Sequence, residues 1–281
     1  MVWALIASLA LFSNGSPNVA PPKPRARLVR VSTPPQYGID ESSNYASILQ
    51  VLQLVNQARA QVGVAPLQLD QGLNNAAQAH ADEMAARGQL THELPGEPPV
   101  VQRVVAQSDV RLDREAENVA YAGSVEDLQG ALMNSPPHRA NVLNASYNVA
   151  GIGLARDGET LYLVQDFGHS VPAYSTVSAQ EGIVSNLNRD RAQSGLPALE
   201  GMNDRAAQQS ACAMARADSL NISSPQARYV LRYTSVAPDK IPGDAARAVS
   251  DPEVRGVSAG ACYARTASYP SGVYWVTVLF Y

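Results

Sequence analysis

From position 48 the apolar residues recur at helical spacing: Ile48, Val51, Leu52 and Val55 fall at i, i+3, i+4 and i+7. Leu73, Ala76, Ala77, His80 and Met84 repeat the stripe, so the spacing predicts two amphipathic helices separated by a turn around "GVAPLQLD". "MNSPPHRANVL" carries the marks of a helix start, with Ser135 as N-cap and Pro136 at the first helical position, where its missing N–H would have no partner anyway. "AGIGLARDGETLYLVQDFG" reads as two strands joined by a tight Arg-Asp-Gly turn. Helices first and strands last predict an α+β fold or a three-layer sandwich around an antiparallel sheet.

The pattern occurs twice. "VNQARAQVGVAPL" at 55–67 returns as "LNRDRAQSGLPAL" at 187–199, and "AAQAHADEMAARGQL" at 76–90 returns as "AAQQSACAMARADSL" at 206–220. "GIGLAR…LYLVQDF" at 151–167 likewise matches "GACYAR…YWVTVLF" at 260–280. The chain is therefore read as two copies of one domain, residues 45–169 and 181–281. The copies differ in their polar residues. His80 becomes Ser210, His92 falls opposite Ile222, and residues 221–255 hold no counterpart of Glu117 or His138. The second copy keeps the scaffold and loses the chemistry.

Before the first copy, residues 1–16 form an apolar run too short to span a bilayer comfortably, read as a secretory signal or a membrane anchor. Residues 17–44 are rich in Pro, Ser and Arg without periodicity and read as a linker, so membrane contact is expected only through the N-terminal segment. Cys212 and Cys262, the two cysteines, fit an exported protein with at most one disulfide; two buried free thiols are the alternative. Net charge is −4 and is uneven. Residues 45–170, which hold all four histidines, carry 14 acidic against 7 basic residues, and 181–281 carry 9 against 10. That field disfavours nucleic acid and favours cations, although most of the charges also suit a solvated face.

"LVNQARAQVGVAPLQLDQGLNNAAQAHADEMAARGQLTH", "AENVA", "MNSPPHRANVL" and "YNVAGIGLARDGETLYLVQDFG", in that order, resemble the bacterial branch of the CAP superfamily, with its cysteine-rich secretory, antigen 5 and pathogenesis-related proteins. The resemblance implies an α-β-α sandwich present twice in tandem, with the second copy degenerate. It also implies a cleft lined by His92 from "LTH", Glu117 from "AENVA" and His138 from "SPPHR". The family's second glutamate falls at Ser135 and its tryptophan at Leu132, so the set is reduced. Two imidazoles and a carboxylate are a suitable first shell for a divalent metal such as zinc with one open position, or for a polarised water.

Each residue has a plainer account. His92 could be a surface residue at a helix end, Glu117 a loop carboxylate or a brace for backbone amides, and His138 a brace within Ser135–Arg139. His80 lies on an apolar stripe and suits a hydrogen-bonded core residue better than a ligand, and His169 suits a linker. Ser135 invites a nucleophile reading, but an N-cap oxygen is taken by a backbone amide. Cys212 aligns with Asp82 and Cys262 with Gly153, on elements that pack together in the implied fold, which makes a disulfide within the second copy the expected pairing. The functional expectation is a secreted or periplasmic bacterial protein binding a small apolar, lipid or envelope-derived ligand, with no enzyme activity favoured. The alternatives are a metal- or histidine-assisted peptidase-like hydrolase, and a scaffold that engages a protein partner through the second copy.

Overall fold

A computed structural model describes residues 41–202, 205–223 and 225–281. The segment read as signal or anchor and the linker up to residue 40 lie outside the described residues. Residues 41–44, also read as linker, are the first turn of helix α1 (Glu41–Gln61). After it come β1 (Gln68–Leu69), α2 (Gln71–Arg87), α3 (Val100–Gln107), β2 (Leu112–Ala122), α4 (Val125–Asn134), α5 (Pro136–Val142), β3 (Val149–Asp157) and β4 (Thr160–Ser170). The sheet order is β1-β3-β4-β2. All pairs are antiparallel except the two-residue β1, which runs parallel to β3. β2 is thus an edge strand.

The layers follow from side-chain pattern. α2 starts at Asp70, whose carboxylate accepts the Leu73 amide at 2.9 Å, and ends at Gly88 in the left-handed conformation. Its buried face of Leu73, Ala76, Ala77, Ala81 and Met84 lies against β3. That approach needs glycine: a Cβ on Gly151 or Gly153 would land on the backbone of Leu73 or Ala77. Gln78 bridges the gap, donating to the Leu154 carbonyl at 2.8 Å and accepting its amide at 3.1 Å. On the other face, Ile152, Leu154, Leu163 and Phe167 pack with Val51 and Val55 of α1, Leu128 and Leu132 of α4 and Val142 of α5. The result is an α-β-α sandwich.

The second half comprises α6 (Thr176–Gln193), β5 (Glu200–Gly201), α7 (Ala206–Ala217), β6 (Tyr229–Ser235), α8 (Ala246–Val249), β7 (Gly256–Ala264) and β8 (Val273–Phe280). Its sheet order, β5-β7-β8-β6, repeats the first, with β5 parallel to β7. Individual fixtures recur as well. Arg59 of α1 donates to the carbonyls of Ala65, Val142, Asn144 and Tyr147, and Arg191 of α6 to those of Pro197, Val249, Asp251 and Val254, each at 2.7–3.1 Å. Asn56 and Asn188 exchange the same pair of bonds with Leu67 and Leu199.

The fixtures also correct one register. Gln208 brackets Ala261 as Gln78 brackets Leu154, and Gly260 meets Ala207 as Gly153 meets Ala77. Gly260 therefore corresponds to Gly153 rather than Gly151, and Cys262 to Ala155 rather than Gly153. A slip of two residues preserves the alternation of faces along a strand, so the side-chain pattern alone does not expose it. Cys212 and Cys262 form a disulfide between α7 and β7, with Cα atoms 5.0 Å apart.

Candidate functional site

Glu117 sits in the middle of β2, directly opposite Asp166 on β4. α3 brings in Arg103, 6% exposed, whose guanidinium pairs with one Glu117 oxygen and donates to the His92 carbonyl at 2.9 Å. The other Glu117 oxygen accepts from His92 Nδ1 at 2.8 Å. The His92 side chain is 59% exposed and its Nε2 has no protein partner among the described residues. Behind Arg103, Glu97 lies 3.4 Å from the guanidinium and accepts from His80 Nδ1 at 2.8 Å. His80 Nε2 meets the Thr91 carbonyl at 2.9 Å. Both partners of His80 are oxygens able to accept, so the ring is held at both nitrogens inside the core.

Arg103 faces both Glu97 and Glu117, and Asp166 is the fifth ionisable member of this group. Asp166 is 1% exposed, and neither of its oxygens is matched to a conventional donor. Burial pushes its carboxyl well above the usual carboxylate range; the charge of Glu117 adds to this and Arg103 opposes it. Burial beside Glu117 therefore favours the protonated form of Asp166.

His138 belongs to the other face. Successive side chains of a strand point to opposite sides, so Asn118 looks away from Glu117. Asn118, fully buried, donates to the His138 carbonyl at 3.1 Å and to Gln165 at 3.2 Å, and it accepts from Asn141 at 2.9 Å. Gln165 donates onward to Gln129 at 3.1 Å. This line of amides crosses the layer from α4 to α5 and ties the "SPPHR" segment to the edge of β2. Ser135 occupies the N-cap position of α5 but makes no capping bond; its hydroxyl meets His138 Nδ1 at 2.8 Å instead. His92 and His138 are therefore anchored on the two sides of the β2 edge, one through Glu117 and the other through Asn118.

The expected trio is not one cluster. His92 and Glu117 are joined, whereas His138 is joined to Ser135 and Asn118. Among the described residues no three His, Cys, Asp or Glu side chains are placed to share an ion. Both Glu117 oxygens are engaged, one by a buried guanidinium that opposes a second cation. The donor set does not fit a metal held by His92, Glu117 and His138 together. His80 is the hydrogen-bonded core residue its position on the stripe implied. His169 is not in a linker: it lies in β4 and bonds Asp113 at 2.7 Å. The sequence reading passed over Arg103, Glu97 and Asp166. The last had a signal, a lone acid inside the apolar run "LYLVQDF".

Residues 52–167 match the model of the Cysteine-rich secretory protein family, CAP. This segment is similar to a CAP domain. The matched span runs from α1 to the end of the β4 core, so it takes in the whole polar group from His80 to Asp166. YkwD of Bacillus subtilis (strain 168) is 30% identical over 112 residues, which are 39% of this chain and 42% of that protein, so the match spans less than half of that relative. An extracellular SCP-domain protein from Bacillus anthracis strain Ames is 25% identical, with a TM-score of 0.41, covering 45% of this chain and 41% of that one. An outer surface protein of Borrelia burgdorferi is 18% identical, with a TM-score of 0.42, covering 45% of this chain and 94% of that one. The CAP match stops before α6, while the strand order recurs beyond it.

Proposed function

We propose that this chain is an extracytoplasmic binding protein, and that its CAP domain, residues 45–169, receives a polar envelope-derived ligand at the β2 edge between His92 and His138. The observation that carries this reading is the engagement of every acid–base group behind the two rings. Glu117 has both oxygens taken, Ser135 is held by His138, and Asp166 is sealed from solvent. What faces outward is hydrogen-bonding capacity: imidazole nitrogens and a strand edge. A peptidase-like hydrolase using Glu117 as its base would need a carboxylate oxygen free to take a proton from water, and both Glu117 oxygens are engaged. The disulfide and the secretory family match support a location outside the cytoplasm. Among the described residues no helix is long and apolar enough to cross a membrane.

A wholly apolar ligand is the second reading. A hollow of about 320 Å³ is lined by Met133, Pro136, Ala140 and Leu143, with Asn134 and Arg139 also on its wall. Its α5 residues recur at i, i+3, i+4 and i+7, on a different side of the helix from His138. We further propose that residues 181–281 are a degenerate copy of the CAP domain. Val230 and Leu279 stand where the first sheet has Glu117 and Asp166, and Ser210 stands at the His80 position. Such a copy, stripped of charges, is suited to contact rather than chemistry, and a protein partner is its expected use.

The test is an NMR titration of the full-length chain with tri-alanine, with an N-acetylglucosamine disaccharide and with octanoate. Shifts at His92, Asn118 and His138 with the peptide or the sugar, lost in the His92→Ala, His138→Ala double variant and without accumulating cleavage product, are the expected result. Shifts confined to Met133, Ala140 and Leu143 with octanoate would transfer the assignment to the apolar hollow. Silence towards all three probes would sink the binding reading.

A further inference from the structure

The second half holds the loop on which the site of the first is hung. Arg103 lies on α3 and Glu117 on β2, and residues 108–111 are the only chain between those two elements. Arg265, at the end of β7, reaches this loop: its guanidinium donates to the carbonyls of Val105 at 2.9 Å, Ser108 at 2.8 Å and Val110 at 3.3 Å. The first two belong to the C-terminal turn and cap of α3, where a helix leaves carbonyls without intrahelical partners and where a cation is electrostatically favoured. Arg111, the residue before β2, reaches the other way. It stacks 3.8 Å from the centroid of the Tyr263 ring and donates to the Tyr274 hydroxyl. That hydroxyl is fixed in turn, donating to the Tyr174 carbonyl at 2.8 Å. Both ends of the loop are thus gripped by β7 and β8.

We propose that Arg265, together with Tyr263 and Tyr274, is a set of positioning residues for the His92–Glu117–Arg103 group, and that this is what the second half supplies to the first. The geometry follows in two steps. Arg103 holds His92 through its backbone carbonyl and holds Glu117 through its carboxylate, so the place of α3 fixes where the His92 ring stands and which of its nitrogens carries the proton. The place of α3 is fixed in turn from its C-terminal end by a residue more than 150 positions away. The inference concerns the protein alone and does not depend on which ligand the β2 edge takes.

The experiment uses full-length protein with Arg265→Ala, Arg265→Lys and, as a control on a similarly exposed arginine of α7, Arg216→Ala. Two quantities are read: the ¹⁵N shifts of the His92 ring, which report its tautomer, and hydrogen exchange of the α3 amides. With Arg265→Ala the α3 amides are expected to exchange at least tenfold faster and the His92 ring to lose its single Nδ1-protonated signature. Arg265→Lys should recover part of both, since one ammonium cannot reach all three carbonyls. Arg216→Ala should change neither. Should the alanine variant fail to fold, Arg265→Gln gives the same reading. A His92 ring unchanged in Arg265→Ala overturns the proposal even if α3 exchange rises, because the contact would then be structural only.

Discussion

Beneath His92, five ionisable side chains share one desolvated space, and their pairing decides which of them keeps a proton. Asp166 is the most deeply sealed of the three acids, and burial beside Glu117 favours its protonated form. Its folded-state pKa is raised, so above the unfolded value of about 4 the unfolded chain releases a proton that the folded chain retains. Folding stability through this group therefore falls as pH rises from about 4, by up to about 1.4 kcal/mol per pH unit, until the folded pKa is passed. Asp166→Asn removes the proton equilibrium while keeping a donor toward Glu117. Thermal unfolding between pH 4 and 7 should show the variant gaining on the wild type as pH rises; parallel curves would mean that Asp166 is ionised in the fold. At this scale the sequence was informative about residue types and silent about partners. His92 and Glu117 could be named from their motifs, but the arginine that neutralises Glu117 lies in an unremarkable helix, and nothing in "VVQRVVAQ" marks Arg103 as buried.

The elements follow simpler rules, and more of them were legible. α2 and the β3–β4 hairpin were readable because one period dominates each. β2 was not, because "LDREAENVAYA" buries a charged residue, Glu117, on one face and an amide, Asn118, on the other, so neither face reads as purely apolar. The helix–sheet distance is set by single glycines, which gives a sharp expectation. Gly153→Ala and Gly260→Ala should each cost more than about 2 kcal/mol, since the added methyl meets helix backbone rather than a movable side chain. Gly123→Ala, where a methyl meets nothing, is the comparison. Urea unfolding of the three variants decides it: equal midpoints would show that α2 and α7 are free to back away from their sheets.

At the level of the whole molecule, the disulfide closes a loop of about 50 residues within the second half. Removing it as Cys212→Ser, Cys262→Ser should lower stability by about 2–4 kcal/mol, measured by denaturant unfolding under non-reducing conditions. By the route described through Arg265, the same change should also raise α3 exchange in the first half, because β7 carries both Cys262 and the approach to Arg265. The recurrence of strand order in the second half has a counterpart in the sequence, where the segments at 55–67 and 187–199 are alike. The contact between the halves has none, since it depends on arginine side chains whose targets are backbone carbonyls and leave no pattern to match.

The Arg59 and Arg191 fixtures bear on the order of events in folding. Arg59 finds its farthest acceptors 83 to 88 residues along the chain, and Arg191 finds its own 58 to 63 residues along. The difference in closure entropy between such loops is only about 0.3 kcal/mol, so chain length gives neither half a head start. Within each half the consequence is stricter. A guanidinium fully buried near the end of the first helix of its half has its distant carbonyl acceptors only once the connection into the second long strand, β3 or β7, is in place. Each half must then assemble in one late, cooperative step, and a chain interrupted before Val142 would strand a buried charge instead of yielding a smaller working domain.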